Sequence, residues 1–180
     1  MLGTRGKRWL MAAVLLLVPV AALSLAPRAI SLAPPPASAA VTTLETALAA
    51  YEGGDYRVAR ARLKPLADRG SAVAETLLGV MAAKGQGGRA DPAAAAGWWL
   101  RAANRGYAPA QLALAKALAE GKGVAADREA ALVWAELAAG GSTEAGPEAR
   151  LFADALARNF DKGELTAVEE ARAGWRPWPG

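Results

Sequence analysis

The chain lacks cysteine and histidine altogether, and its 180 residues include only two phenylalanines and three tyrosines. Without cysteine it has no disulfide, no thiolate nucleophile and no iron–sulfur ligand. Without histidine it also lacks the commonest zinc and haem ligands. These absences exclude thiolate and imidazole chemistry, and we predict neither a cofactor nor a metal site.

The part of the chain that follows the first 40 residues also lacks net charge. The formal charge is +4, but Arg5, Lys7, Arg8 and Arg28 all precede the first acidic residue, Glu45. Removing these four leaves 17 basic and 17 acidic residues. No interleaved basic and aromatic pattern suggests single-stranded nucleic acid, so no nucleic-acid partner is expected.

The N-terminal segment has the order of a secretory signal peptide. MLGTRGKRW is basic, an apolar run extends from Leu10 to Ala26, and Ala37-Ser38-Ala39 offers a small-x-small cleavage site. The apolar run has 17 residues, near the lower limit for crossing a bilayer, so a retained anchor on a Pro/Ala-rich tether stays open. We assign residues 1–39 to a signal peptide or N-terminal anchor. The expected location is the bacterial periplasm, with an inner-membrane anchor as the alternative.

The most informative feature is a stretch that occurs twice. Residues 72–103 and 108–139 align without a gap at an offset of 36 residues. In an alanine-rich chain many alanine identities arise by chance, so the other identities are the evidence for a repeat. They are Leu78/Leu114, Gly85/Gly121, Gly87/Gly123, Asp91/Asp127 and Trp98/Trp134. A fixed period in the thirties is typical of α/α-hairpin arrays, in which no hairpin buries its apolar face alone.

Each copy reads as a helix, a glycine turn and a second helix. Apolar residues recur at helical spacing until GQGG, and glycine just past a helix adopts the left-handed conformation that closes the last turn. Asp91 then stands at an N-cap position, with Pro92 at the first helical position. Asp55 and Asp127 lie one repeat to either side. We therefore interpret the three aspartates as caps and not as catalytic acids.

These residues carry a family resemblance. The pattern A-x-A-x-x-x-L-G, then G-x-G, then D-x-x-x-A-x-x-W-x-x-x-A-A resembles the Sel-one-like repeat (SLR), a branch of the tetratricopeptide-like hairpins. It covers residues 72–106 and 107–141, and departs from the family at Ala115, where glycine is usual, and at Gly88, where valine is usual. The resemblance implies an α/α superhelix that acts mostly as a scaffold.

Around these two copies we predict an all-α solenoid of about four hairpins, preceded by the N-terminal signal or anchor helix. The repeat domain spans 41–180, divided into a degenerate first unit at 41–70, the repeats at 72–106 and 107–141, a C-terminal capping hairpin at 144–175 and a tail at 176–180. Pro65 falls inside a helix of the first unit, where we expect a kink. Asp161 followed by Glu164 predicts a capping box.

Because most side chains are needed for helix capping and core packing, we predict a non-catalytic interaction scaffold or adaptor of the bacterial envelope. We expect its partner to be an unknown envelope protein or peptide. Self-association is also possible, because the array has only about four hairpins. Membrane contact is expected only if the N-terminal segment is not cleaved. Candidate partner contacts are aromatic residues that the repeat does not require and basic residues on helical faces: Trp99, Tyr107, Arg57, Arg60, Lys64, Arg101 and Arg105. Trp98 and Trp134 recur at one repeat position, which favours core packing.

Two alternatives stay open. One is a hydrolase of an envelope polymer, which would have to use carboxylates such as Glu144, Glu148, Glu169 or Glu170. The other is a membrane-anchored organiser of an envelope complex that keeps its leader.

Overall fold

The computed structural model describes residues 37–141 and 145–178, so most of the predicted leader lies outside the described residues. The described part consists of eight helices and contains no strand, which confirms the predicted all-α repeat solenoid. The helices are α1 (Ala37–Glu52), α2 (Tyr56–Asp68), α3 (Ala72–Lys84), α4 (Pro92–Asn104), α5 (Ala108–Glu120), α6 (Arg128–Gly140), α7 (Ala145–Ala157) and α8 (Lys162–Gly174). None of these described helices has the length and hydropathy needed to cross a membrane.

An aspartate caps every even-numbered helix, as the spacing predicts. The carboxylate accepts a hydrogen bond from the backbone N–H three residues on, at 3.3 Å for Asp55 and at 2.9 Å for Asp91, Asp127 and Asp161. At α8 the Glu164 side chain also accepts a bond from the Asp161 N–H at 2.7 Å, which completes the predicted capping box. Because the carboxylates satisfy otherwise unpaired N–H groups, their role in the structure is to start helices.

Consecutive helices pack against each other from α1 to α7, and α8 packs on α6. The interior is built from alanines and a few large residues, in clusters shared by successive helices. Alanine at these contacts lets helix axes approach closely, and leucine or tryptophan fills the remaining space. The helix α2 continues through Pro65 to Asp68.

The second glycine of each G-x-G turn fixes how one hairpin sits on the hairpin before it. Gly87 and Gly123 have φ of 76° and 78°, which favours glycine. A Cβ at Gly87 would lie 2.8 Å from the Tyr56 carbonyl oxygen, and one at Gly123 would collide with the carbonyl of Pro92. Each turn therefore rests on the first residue of the even-numbered helix one unit earlier.

Candidate functional site

Three of the predicted basic residues line one groove. Arg57, Arg60 and Lys64 project from α2, and Trp98 of α4 lies opposite them. We call this surface the basic groove; its full lining is Arg57, Arg60, Ala61, Lys64, Leu78, Gly87 and Trp98, and its volume is about 450 Å³. The structure thus brings together the basic face that the sequence predicted and a tryptophan that the sequence assigned to the core.

The groove follows from local structure. Asp55 fixes the start of α2, and positions 57, 60 and 64 then share one side of the helix because they are three and four residues apart. The turn at Gly87 rests on Tyr56, the first residue of the same helix. The walls of the groove are therefore held by a helix cap and by a backbone contact.

The three cations of the groove differ in whether a carboxylate of the protein already pairs with them. Lys64 Nζ lies 2.6 Å from Asp68 Oδ1 and 5.6 Å from the centre of the Trp98 ring. Arg57 and Arg60 have no carboxylate within ion-pairing distance in the part of the chain that the structure describes. Both side chains are exposed, and Arg60 lies against the turn at Gly88. The two arginines are thus available to an external anion.

Trp98 is half-buried and packs on the cluster formed by α1, α2 and α3. The guanidinium of Arg101 lies 4.7 Å from the centre of its ring, on the same helix one turn on. Cations over a tryptophan face are attracted by the ring quadrupole. The ring therefore completes the core, as predicted, and also forms part of the groove surface.

Arg101 and Arg105, which the sequence grouped with the partner contacts, bind Glu75 of α3 instead of lining the groove. Arg101 Nη2 lies 2.8 Å from Glu75 Oε1, and Arg105 Nε lies 3.5 Å from Oε2. The Glu75 side chain is fully buried, and neither oxygen receives a well-directed N–H bond, so the contacts are ionic. A buried carboxylate requires such counterions. The two arginines thus have a structural role, and their predicted role as partner contacts stays a prediction.

Trp99 and Tyr107, the two aromatic candidates, take part in packing between helices. The Trp99 ring covers Gly79 of α3 so closely that a Cβ at position 79 would overlap it, and the indole Nε1 is buried without a hydrogen-bond partner. Tyr107 precedes α5 and packs on the cluster of Ala102, Ala103, Ala110 and Leu114. Both rings are half-buried. Their predicted contact with a partner stays a prediction.

Two carboxylates of the hydrolase alternative, Glu148 and Glu169, lie beside basic side chains. Glu148 Oε1 lies 2.6 Å from Lys116 Nζ, and Glu169 lines a shallow groove with Arg150 and Arg172. Glu170 is exposed, and Glu144 lies outside the described residues. Among the described residues no group of three or more acidic side chains is arranged to hold a metal ion.

The sequence did not reveal the contacts of the C-terminal segment, which we call the C-terminal tail (Trp175–Trp178). The tail leaves α8 and returns to the end of α4, where the Trp178 N–H donates to the Asn104 carbonyl at 2.7 Å. The Trp175 and Trp134 rings meet edge to face with their centres 6.0 Å apart. Two tryptophans and two prolines in the last six residues were the available signal, but sequence alone does not say where such a segment docks.

Comparison with protein-family models finds the Sel1 repeat at residues 72–107 and 108–141. Each match covers one of the two copies in the sequence, and repeats of this family generally form protein-interaction scaffolds that are typically non-catalytic. A comparison with curated protein sequences finds no significant match.

Two solved structures share the fold. One is c5321, a protective antigen of uropathogenic Escherichia coli that displays an SLR fold, with a TM-score of 0.68 and 21% identity over 76% of this chain and 29% of that one. The other is a Sel1 repeat protein from Oxalobacter formigenes, with a TM-score of 0.59 and 23% identity over 74% of this chain and 56% of that one. The chain therefore spans about a third and about half of the two proteins, and the likeness concerns the fold.

Proposed function

We propose that this chain, a Sel1-like repeat protein, is a non-catalytic scaffold that binds an acidic, extended segment of a partner protein in the basic groove. The observation that supports this proposal is a pair of exposed arginines, Arg57 and Arg60, beside a half-buried tryptophan. Within the described residues the other groove cation, Lys64, is already paired with Asp68.

The chemistry of the groove favours carboxylates. A guanidinium presents a planar fork of N–H donors that binds a carboxylate in two parallel hydrogen bonds, and Trp98 adds an apolar face for the intervening side chains. A single exposed ion pair contributes only about 0–1 kcal/mol, so useful affinity requires several such contacts along one segment. An extended peptide with acidic residues at intervals meets this requirement.

We also propose that the protein works in the bacterial cell envelope. The basic start, the apolar run and the small-x-small site support export, and the absence of cysteine is compatible with an oxidising compartment. N-terminal sequencing of the protein from cells tests this. A start at Ala40 indicates cleavage and a periplasmic protein, whereas an intact leader indicates the membrane-anchored organiser.

A peptide titration tests the proposed groove. The probe is a fluorescein-labelled 12-residue peptide with glutamate at every second position, and the readout is fluorescence anisotropy with the full chain. Charge reversal by Arg57→Glu and Arg60→Glu is expected to weaken binding at least tenfold, because attraction becomes repulsion at both anchor points. Added salt is expected to weaken binding by the native protein as well, since exposed charges are screened.

The matched control reverses two exposed cations outside the groove, Arg158→Glu and Lys162→Glu. This variant has the same net charge as the groove variant, so it separates a specific site from general attraction. Equal loss of binding in both variants, or equal binding of a lysine-for-glutamate peptide, would contradict a specific acidic-segment site.

A further inference from the structure

The C-terminal tail lies on the protein in the way that a bound peptide would. Its backbone extends away from α8, and one main-chain N–H, that of Trp178, reaches an acceptor on α4 in another unit of the array. One ring, that of Trp175, pairs with Trp134. An extended segment held by a main-chain bond and an aromatic anchor is a recurring mode of peptide recognition.

The acceptor is a group that the helix itself leaves free. The last four carbonyls of an α-helix have no partner within the helix. At the end of α4 the N–H groups of Arg105, Gly106 and Tyr107 bond the carbonyls of Ala102 and Ala103, and the Asn104 carbonyl receives the Trp178 N–H. The tail thus satisfies a helix-end carbonyl.

The repeat explains why there is room for the tail. Gly70 and Gly106 occupy equivalent positions 36 residues apart, each in the turn after an even-numbered helix. The Arg105 guanidinium covers Gly70, whereas Trp175 and Pro177 cover Gly106. The residue equivalent to Arg105 in the next repeat is Gly141, which has no side chain to cover Gly106. Arg105 of the first repeat therefore covers Gly70, but the second repeat has no arginine to cover Gly106. The tail lies in the recess that is left at Gly106.

From this placement we propose that the surface formed by Asn104, Gly106 and Trp134 is a second peptide-binding site, distinct from the basic groove. Its ligand class is an extended segment with a tryptophan anchor, a proline two residues on and a free backbone N–H three residues on. The tail occupies the site within the same chain. A partner segment of this chemistry competes with the tail for the site.

The attachment of the tail suits a competed site. Trp178 is 53% exposed, and among the described residues the Arg176 side chain bonds only two nearby carbonyls, those of Ala173 at the end of α8 and of Trp175. The Trp175 indole N–H is buried and has no hydrogen-bond acceptor within residues 37–141 and 145–178, so docking of the tail leaves this polar group unsatisfied there. A segment with few attachments and an unsatisfied donor is displaced more easily than a core element.

The experiment uses the full chain and a labelled peptide with the sequence of residues 173–180. In the native protein the tethered tail acts as a competitor at an effective concentration on the order of millimolar. The Trp175→Ala variant loses the aromatic anchor of the tethered tail. We expect it to bind the peptide about tenfold more tightly than the native protein does, given such tethering.

Two peptide controls isolate the contacts without changing the protein. Replacing the tryptophan equivalent to Trp175 with alanine, or methylating the backbone nitrogen equivalent to Trp178, is expected to abolish the binding. Equal affinity for native and variant protein, no binding to either, or indifference to backbone methylation overturns the proposal. Circular dichroism verifies that the variant is folded.

A second variant keeps the test decisive if Trp175→Ala does not fold. Trp178→Pro removes the N–H that bonds the Asn104 carbonyl, and with it an indole ring that is more than half exposed. It is expected to bind the peptide more tightly than the native protein, and unchanged affinity counts against the site. Arg57→Glu with Arg60→Glu should leave this binding unaltered, so failure here is distinct from failure of the basic groove.

Discussion

The two Sel1 repeats have equivalent helices and G-x-G turns, yet at two buried positions they carry different residues and make different contacts. At position 75 of the first repeat a buried glutamate binds two arginines, and at the equivalent position 111 a buried glutamine binds a backbone carbonyl. At position 79 a glycine accommodates Trp99, and at the equivalent position 115 an alanine packs with Ala135. In both cases the changes occur in pairs that compensate each other.

The first pair shows the physical reason. The Gln111 Nε2 donates to the Ala103 carbonyl at 3.2 Å. Glutamate has no donor, so at the equivalent place Arg101 lies between the two acceptors, 3.1 Å from the Ala67 carbonyl and 2.8 Å from Glu75. The repeat thus keeps one helix-end carbonyl satisfied by two different routes. Because the two repeats have the same backbone arrangement but different neighbouring side chains, a residue taken from one repeat is expected to destabilise the other.

The largest effect is expected from exchanging the buried polar residue. Gln111→Glu places a carboxylate where the equivalents of Arg101 and Arg105 are Leu137 and Gly141, so the charge is buried without a partner. The free energy of unfolding should fall by about 3–5 kcal/mol. Urea denaturation monitored by circular dichroism measures it.

The reciprocal change is the control. Glu75→Gln supplies a donor for the Ala67 carbonyl and leaves a neutral amide oxygen beside two arginines whose side chains are 40% and 27% exposed, with Arg105 Nε itself buried. Its expected cost is smaller, about 1–3 kcal/mol, because the fully buried charge is removed and the arginines that lose their counterion are partly exposed. Similar costs for the two substitutions would mean that the ion pairs do not compensate for the buried charge.

A smaller loss is expected at the turn of the second repeat that packs on the first repeat. Gly123→Ala combines a φ of 78° with a collision against the Pro92 carbonyl, and backbone strain of this kind costs about 1–3 kcal/mol. Gly97→Ala is the matched control, because Gly97 is exposed in α4 with open space around it. Removing a helical glycine there should stabilise the protein by up to about 1 kcal/mol. Thermal unfolding compares the two, and destabilisation of equal size in both contradicts the proposed role of the turn.

The smallest effect tests the second pair. Gly79→Ala forces the half-buried Trp99 ring to move, at an expected cost of about 1–2 kcal/mol. In a Trp99→Ala background the same change should cost nothing or stabilise the helix, because alanine is the better helix former. A double-mutant cycle gives the coupling free energy between the two positions. A coupling near zero refutes the compensation between Gly79 and Trp99.

Much of the fold could be predicted because its signals are local. The Asp91 cap, the Gly85 turn and the capping box at Asp161 each depend on residues within a few positions, and all are found. The basic face of α2 was also predictable, since Arg57, Arg60 and Lys64 share one side of a single helix.

The contacts that set the roles of Arg101 and of the C-terminal tail, which the sequence did not show, join residues that are far apart in the chain. Glu75 and Arg101 are 26 positions apart, and Asn104 and Trp178 are 74 apart. Whether an arginine binds a buried carboxylate or a partner depends on the stacking of neighbouring helices, which helical periodicity alone does not specify. The same reason applies to Trp99, whose ring covers a glycine on another helix.

Site-specific photo-crosslinking in cells tests directly whether the basic groove binds an acidic segment of a partner protein. A photoreactive amino acid is placed at Ala61, which is exposed in the basic groove, and separately at Ala155, which is exposed on α7 away from it. We expect position 61 to crosslink to a segment of another protein that is rich in aspartate and glutamate, and position 155 not to do so. Crosslinking of equal strength at both positions, or a captured segment without acidic residues, would contradict the binding of an acidic segment in the basic groove.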